Sequence, residues 1–162
     1  MTNNSTLMYR DCRKIANLTQ EQAIEHLGVE VHSLSDYETG KRKVPDDIVD
    51  KMAELYNSPL LAIWHLKTTS PLGAKYLPDV FPTCTNADAG IQSIMATRDG
   101  KKAEDAILGA LESGDLSITD LPLLNEFIKA TDASIGKRLS AKAYILKVIN
   151  DLIKEGSREG TL

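Results

Sequence analysis

The chain has 162 residues, of which 42% are hydrophobic and 26% charged, and its formal net charge is −4. These values are typical of a folded soluble protein and exclude wholesale disorder. The negative net charge disfavours a protein whose whole surface coats nucleic acid, because phosphate binding requires a concentrated basic face, but it permits a local basic edge.

The two cysteines, Cys12 and Cys84, form no C-x-x-C pair and have no histidine ligand set nearby, so they predict neither a disulfide framework nor a zinc site. The N-terminal segment MTNNSTLMYRDC lacks an apolar signal core, and no stretch approaches the roughly 20 apolar residues that span a bilayer. We therefore expect a cytoplasmic protein with reduced thiols and no membrane partner.

The three histidines, His26, His32 and His65, are too scattered for a metal triad. The sequence contains no glycine-rich phosphate-binding motif and no recognisable arrangement of a nucleophile with a base. We therefore expect no metal, no cofactor and no enzymatic activity.

Apolar residues recur at i, i+3 and i+4 without sustained alternation, which predicts an all-α fold. Five helices fit between Leu7 and Lys67. Thr19 and Gln22 form a capping box that begins the second helix, and Gly28 ends it. Further start and stop signals follow at Gly40, Pro45 and Ser58-Pro59.

Proline and glycine interrupt the periodicity between Ser70 and Gly90, which predicts a linker or extended arm. We accordingly expect three regions, namely a head at residues 1–68, a linker at 69–90 and a helical tail at 91–162. In the tail, amphipathic spacing predicts one helix ending near Leu111, a second near Leu121 to Ile128, and a last one at about Ile135 to Glu155. Asp99-Gly100-Lys101 is interpreted as a turn between helices.

The last helix has an unusually broad apolar stripe, formed by Ile145, Leu146, Ile149, Leu152 and Ile153. A helix that is apolar over so wide an arc requires cover on more than one side. A second copy of the chain is the natural source of that cover, and the tail is therefore predicted to form a homodimer. The alternative is that the tail folds back on the head and buries the stripe within one monomer.

Several spaced features of the head occur together. They are the R-K-x-x-N-L-T-Q segment ending at Gln20, the turn glycine Gly28, the segment Tyr37 to Lys41 that closes the third helix, and a following helix that starts at a proline. In this respect Leu7 to Leu66 resembles the helix-turn-helix domain of Cro/CI-type (XRE) bacterial and phage regulators. The resemblance implies a five-helix, lambda-repressor-like DNA-binding head, with an additional helical C-terminal region.

The resemblance also implies a set of roles. Arg13 and Glu38 occupy the positions of a structural ion pair between the first and third helices, and Gln20 the position that touches phosphate. The third helix would enter the major groove. Its implied DNA-contacting residues are Val31, His32, Ser33, Ser35 and Asp36, and those of the following loop are Lys41, Arg42 and Lys43.

Arg, Gln and Asn, which make bidentate base contacts, are absent from Val31 to Asp36. The remaining side chains offer a methyl contact from Val31 and single hydrogen bonds from His32, Ser35 and Asp36. Glu30 stands at the helix cap, where it would repel a nearby phosphate. The two ends of the motif are basic and contain Arg10, Arg13, Lys14, Lys41, Arg42 and Lys43.

These features predict a dimeric, sequence-specific transcriptional regulator, of phage or mobile-element repressor type, that binds a double-stranded DNA operator. The alternative is a protein-binding module, such as an antirepressor or assembly factor, that keeps the fold and docks a partner through its acid-bearing third helix. A further option gives Glu21 and Glu25 a contact with RNA polymerase.

Overall fold

The computed structural model describes residues 7–81, 85–112 and 114–158, and these residues form helices without a strand. The predicted all-α fold is confirmed. Cys84 lies outside the described residues. None of the described helices is both long and apolar enough to cross a membrane. The chain divides into two compact units, of which the first combines residues 1–74 with 146–162 and the second comprises residues 75–145.

The first unit contains the five predicted helices of the head. They are α1 (Leu7–Ile15), α2 (Gln20–Leu27), α3 (Val31–Thr39), α4 (Asp46–Leu55) and α5 (Pro59–Thr69). The Thr19 hydroxyl accepts from the backbone N–H of Gln22 at 3.2 Å, and the Gln22 side chain accepts from the N–H of Thr19 at 2.9 Å. Gly28 and Gly40 end α2 and α3 at φ values of 67° and 74°, a region that favours glycine. The predicted capping box and stop signals are therefore present.

The core of the head lies where its helices meet, and Leu27, Leu34, Met52 and Leu61 are among its fully buried side chains. Trp64 packs edge-on against Tyr9, with ring centroids 5.4 Å apart. Burying such apolar side chains is the main favourable term in folding.

A chain of polar contacts, buried at Tyr9 and His65 and exposed at Asp46, ties α1, α4 and α5 together. The ring of His65 is 1% exposed, and its Nδ1 lies 2.6 Å from the Tyr9 hydroxyl while its Nε2 lies 3.0 Å from Asp46 Oδ1. Because the Asp46 carboxylate can only accept, His65 donates to it from Nε2. Burial, aided by the Asp46 charge, raises the pKa of Tyr9 to about 12.

The last turns of α8 (Leu121–Arg158) belong to the first unit from Leu146 onward. Asn57 Nδ2 donates to the carbonyl of Lys147 at 3.3 Å and to Asp151 Oδ1 at 2.7 Å. Asn150 Nδ2 in turn donates to Asn57 Oδ1 at 3.0 Å. These turns are therefore attached to the head through a polar face of the helix.

The helices α6 (Pro71–Tyr76) and α7 (Asn86–Leu111) occupy much of the segment around the predicted linker. The predicted turn at Asp99-Gly100-Lys101 is wrong, because all three residues lie inside α7. Likewise, the helices predicted separately at Leu121 to Ile128 and from Ile135 are parts of the single helix α8. A glycine inside a helix costs only about 1 kcal/mol relative to alanine, which packing against a neighbouring helix offsets.

In the second unit α7 and the first part of α8 pair in an antiparallel hairpin. Ser134 Oγ donates to the Ala96 carbonyl at 2.8 Å, and Lys137 Nζ donates to Asp99 Oδ2 at 2.6 Å. Small side chains allow the close approach, since the buried face of α7 consists of alanines with Asp99. The buried alanines are Ala89, Ala96, Ala103, Ala106 and Ala110.

Residues before α7 lie against α8 at two small residues. A Cβ at Gly136 would clash with the Asp79 carbonyl oxygen, so this position requires glycine. One turn further on, the N–H of Phe81 donates to Ser140 Oγ at 2.8 Å. The segment up to Phe81 is thus held against the hairpin.

Candidate nucleic-acid interface

The corner between α2 and α3 is fixed by its glycine and its buried side chains. The N–H of Gly28 donates to the Ile24 carbonyl at 2.9 Å, which closes the last turn of α2. Ala23 and Leu27 of α2 and Leu34 of α3 are at most 1% exposed. Because these small and apolar residues meet in the core, α3 has a defined orientation on the head.

The two faces of α3 differ sharply. Leu34, Tyr37 and Glu38 are buried and define its inner face. The predicted base-contacting residues lie on the remainder of the helix surface, where Val31 and His32 are exposed and the other three, Ser33, Ser35 and Asp36, are half-buried.

Helical spacing places His32, Ser35 and Asp36 on the side opposite Leu34, with Val31 and Ser33 at the flanks. Thr39 extends the same outer face by one turn and is exposed. Its hydroxyl donates to the Ser35 carbonyl at 2.8 Å, which leaves its methyl group on the surface. Thr39 was not among the predicted residues, although its spacing of seven from His32 and three from Asp36 indicates this position.

A buried ion pair fixes α3 to α1. Arg13 Nε donates to Glu38 Oε1 at 2.6 Å and Arg13 Nη2 donates to Oε2 at 2.8 Å, while Nη1 donates to the Leu18 carbonyl at 2.8 Å. Both side chains are under 10% exposed. Hydrogen bonding to Glu38 raises the pKa of Arg13, so the guanidinium remains charged.

Gln20, at the start of α2, completes this cluster. Its side-chain amide donates to Glu38 Oε2 at 2.9 Å. The amide nitrogen is therefore engaged within the protein, and Gln20 braces the carboxylate that holds α3. The second hydrogen of this amide and the backbone N–H groups at the α2 N-terminus are the donors present here for an anion.

The loop after α3 is ordered by backbone hydrogen bonds and carries three exposed basic residues. The N–H of Lys41 donates to the Asp36 carbonyl at 3.0 Å, and that of Gly40 to the Tyr37 carbonyl at 3.3 Å, which is the Schellman pattern. The Arg42 guanidinium lies 5.6 Å from the centroid of the Tyr37 ring. Lys41, Arg42 and Lys43 are thereby presented at the C-terminal end of α3.

The acids and bases near α3 have distinct environments. Glu30 occupies the N-cap of α3 without a side-chain capping hydrogen bond, and it is exposed. Arg10 and Lys14 of α1 are also exposed. The sequence predicts that Arg13 is one of the basic residues at the ends of the motif. It is buried and neutralised by Glu38, so it does not contribute to a basic surface. Across the described ranges, no group of three or more His, Cys, Asp or Glu side chains is arranged to hold a metal ion.

Comparison with known families agrees with this geometry. The family described as "Helix-turn-helix domain" matches residues 10–61, which are 52 of the 162 residues. No curated protein and no solved structure matches the chain. The head is thus a helix-turn-helix domain, of the class found in DNA-binding regulators.

Proposed function

We propose that the protein is a sequence-specific transcriptional regulator of Cro/CI type that acts in the cytoplasm as a homodimer. The proposal rests on the difference between the two faces of α3. Its inner face is buried at Leu34, Tyr37 and Glu38, and its outer face is accessible. By its resemblance to phage regulators, the protein is a repressor of a phage or mobile element, and its target is a double-stranded DNA operator.

The outer face of α3 enters the major groove in this proposal. Val31 contacts a thymine methyl, His32 a purine edge or phosphate, and Ser35 and Asp36 make single hydrogen bonds, Asp36 by accepting from cytosine N4. Ser33 lies beside the DNA backbone. The phosphates are held by the α2 N-terminus at Gln20 and by the loop residues Lys41, Arg42 and Lys43.

Dimerisation is proposed through the apolar stripe of α8. The residues of α8 bonded to Asn57 are Lys147, Asn150 and Asp151, whereas Ile149 and Leu152 lie on the opposite side of the helix. All five stripe residues remain between 39% and 60% exposed; they are Ile145, Leu146, Ile149, Leu152 and Ile153. Since the head contacts the polar side of these turns, a second copy is the cover that we propose for the apolar side.

Binding measurements at several salt concentrations test the DNA-binding proposal. Lys41→Ala is expected to weaken binding to all DNA sequences and to reduce the slope of log K against log salt by about one unit, because one phosphate contact is lost. His32→Ala is expected to alter base preference and to leave random DNA binding unchanged. The matched control is Lys129→Ala, at an exposed lysine of the second unit, for which no change is expected.

Two results would contradict the assigned roles. An equal loss on specific and random DNA for His32→Ala would remove its base-reading role. A salt slope that is the same for Lys41→Ala as for Lys129→Ala would place the phosphate contacts elsewhere.

The second candidate function is a protein-binding module, such as an antirepressor or assembly factor, that uses α3 as its docking surface. It is favoured by Glu30 and Asp36, the two acids at the N-terminus and on the outer face of α3. Absence of any DNA shift at low salt, from a folded dimer, would support this alternative. A contact of the exposed Glu21 and Glu25 with RNA polymerase is an additional proposal within the first function.

A further inference from the structure

The closed end of the α7–α8 hairpin differs in charge from the rest of the chain. Residues 103–128, here called the hairpin tip, contain six acidic residues and no lysine, arginine or histidine. The acids are Glu104, Asp105, Glu112, Asp115, Asp120 and Glu126. The chain has 23 acids and 19 Lys and Arg residues in all, so the part outside the tip has 17 acids and is net basic. Lys101, Lys102 and Lys129 stand just outside the ends of the tip, and Lys101 Nζ lies 3.9 Å from Asp105 Oδ1, so the negative charge is concentrated toward the connection between the two helices.

The same tip exposes large apolar side chains. They lie on the last turn of α7, on the connection and on the first turns of α8, and their exposed fractions are Leu108 63%, Leu111 46%, Leu116 52%, Ile118 80%, Leu121 49% and Ile128 56%. By helical spacing Leu108 lies on the side of α7 away from α8, and Ile128 lies on the side of α8 away from α7, so the residues that share the connection are Leu111, Leu116, Ile118 and Leu121. Isolated exposed apolar residues are normal on a protein surface, but several of them around one helical connection indicate an interaction site.

Part of the connection between α7 and α8 is a hydrogen-bonded turn that carries Ile118. The N–H of Ser117 and its hydroxyl both donate to Asp120 Oδ2, each at 2.8 Å, around the short 3₁₀ turn Ile118–Asp120. Hydrogen bonds from the Ser117 backbone and then its side chain hold the pKa of Asp120 below its usual range, so the carboxylate stays charged at neutral pH. Ile118 therefore projects from a preformed turn, so the entropic cost of ordering this turn on binding would be small.

We infer that the hairpin tip is a docking surface for a partner protein that offers an apolar groove lined by lysine or arginine. The charge of the tip distinguishes between DNA, a membrane, a second copy of the chain and a partner protein as possible binding partners. DNA and an anionic membrane would be repelled by a segment with six acids and no base. Two tips facing each other across a symmetric dimer would repel in the same way, since each brings the same charge. A basic, partly apolar protein surface is the occupant that satisfies both the charge and the exposed side chains.

The residues of the hairpin tip are different from those of the DNA-contacting helix and from those of the stripe proposed for dimerisation. The inference holds whether or not α3 reads DNA, so its test is independent of the DNA-binding measurements.

Selection from a random peptide library on the purified full-length protein tests the inference. The selected peptides are expected to combine Lys or Arg with large apolar residues. Ile118→Ser is expected to lower the affinity for the best synthetic peptide by roughly tenfold or more. This is the usual effect of losing one apolar side chain that is buried on binding. The control is Ile94→Ser, which removes an isoleucine of similar exposure, 73%, from α7 outside the tip.

A second variant separates the contribution of charge from that of apolar contact. Glu104→Gln combined with Glu112→Gln removes two negative charges and leaves Ile118 in place. Binding of the basic peptide is expected to weaken and to lose part of its salt dependence, while circular dichroism verifies that each variant stays folded.

Other outcomes would overturn the inference. One is enrichment of neutral or acidic peptides, and another is equal loss of binding for Ile118→Ser and Ile94→Ser. A shift of the monomer–dimer equilibrium by Ile118→Ser in sedimentation would assign the tip to a second copy. Binding to phosphatidylserine vesicles that Ile118→Ser abolishes would assign it to a lipid surface.

Discussion

At the scale of single residues, the head depends on Arg13 and Glu38, which are 25 positions apart in sequence and joined by two hydrogen bonds in space. A buried charge is costly unless it is paired and its remaining hydrogen-bonding sites are satisfied. The third guanidinium contact, to Leu18, and the amide of Gln20 meet that requirement. One residue of α3, Glu38, therefore fixes the position of the others.

Removing one member of this pair should be strongly destabilising. For Glu38→Gln we expect a loss of about 3–5 kcal/mol in the free energy of unfolding of the head, since Arg13 keeps an unpaired buried charge. The fluorescence of Trp64, the single tryptophan of the chain, reports unfolding of the head in urea. The control is Glu54→Gln at an exposed carboxylate of α4, which should change stability little. Equal stabilities of the two variants would show that the pair does not hold α3.

The pair of Asp99 with Lys137 gives a pH-dependent prediction for the second unit. Hydrogen bonding to Lys137 holds the pKa of Asp99 below its usual value of 3.8. The carboxylate therefore stabilises the fold at pH values well above 3.8, and this contribution is lost as the pH falls through the lower pKa of the folded state. Asp99→Asn should lower stability by about 1.5 kcal/mol at neutral pH and have almost no effect in strong acid.

Unfolding followed by circular dichroism at neutral and acid pH measures this difference. Asp105→Asn is the matched control, because its pair with Lys101 lies on the same helix but is 65–75% exposed. Such exposed pairs contribute little to stability. A destabilisation by Asp99→Asn that persists unchanged in strong acid would contradict the role of its charge.

At the scale of elements, the sequence predicts the local features best. The Thr19–Gln22 capping box and the glycine stop at Gly28 depend on neighbours within one turn, so their residue types are sufficient to locate them. The interior of α7 could not be located in this way. Asp99 and Gly100 are turn-forming residues by local preference, and they stay helical because Lys137 and Ser134 of α8 meet them from 34 or more positions away.

The candidate site shows the same division. Family resemblance and helical spacing predict that Val31 to Asp36 lie on one helix, and the stop at Gly40 predicts that the basic loop follows it. Arg13 is buried because α1 packs against α3. The spacing of residues in the sequence does not predict this tertiary contact. The attachment of Asn57 to the last turns of α8 is likewise a contact over 90 positions or more.

The last turns of α8 yield the prediction that belongs to this scale. Replacing Ile149 and Leu152 by serine should weaken dimerisation by roughly tenfold or more for each buried side chain. Sedimentation over a range of concentrations measures the change. Leu72→Ser, at a 70% exposed leucine of α6, is the control and should leave the dimer intact. A native protein that stays monomeric at every concentration would contradict the proposed interface.

At the scale of the whole molecule, basic and acidic residues are concentrated in different parts of the chain. The helix-turn-helix head ends α3 with three exposed basic residues, whereas the hairpin tip carries six acids and no base. In the proposed function, dimerisation matters because α3 offers only a methyl group and single hydrogen bonds, so two half-sites would be needed to accumulate specificity.

The proposal that α3 reads DNA within a dimer is tested by selecting bound sequences from random double-stranded DNA. We expect an enriched sequence with two related half-sites whose centres lie about 34 Å, or one helical turn, apart. His32→Ala should change the preferred bases within each half-site while keeping their separation. A folded native protein that enriches no sequence, or a His32→Ala variant that selects the same sequence, would contradict the claim.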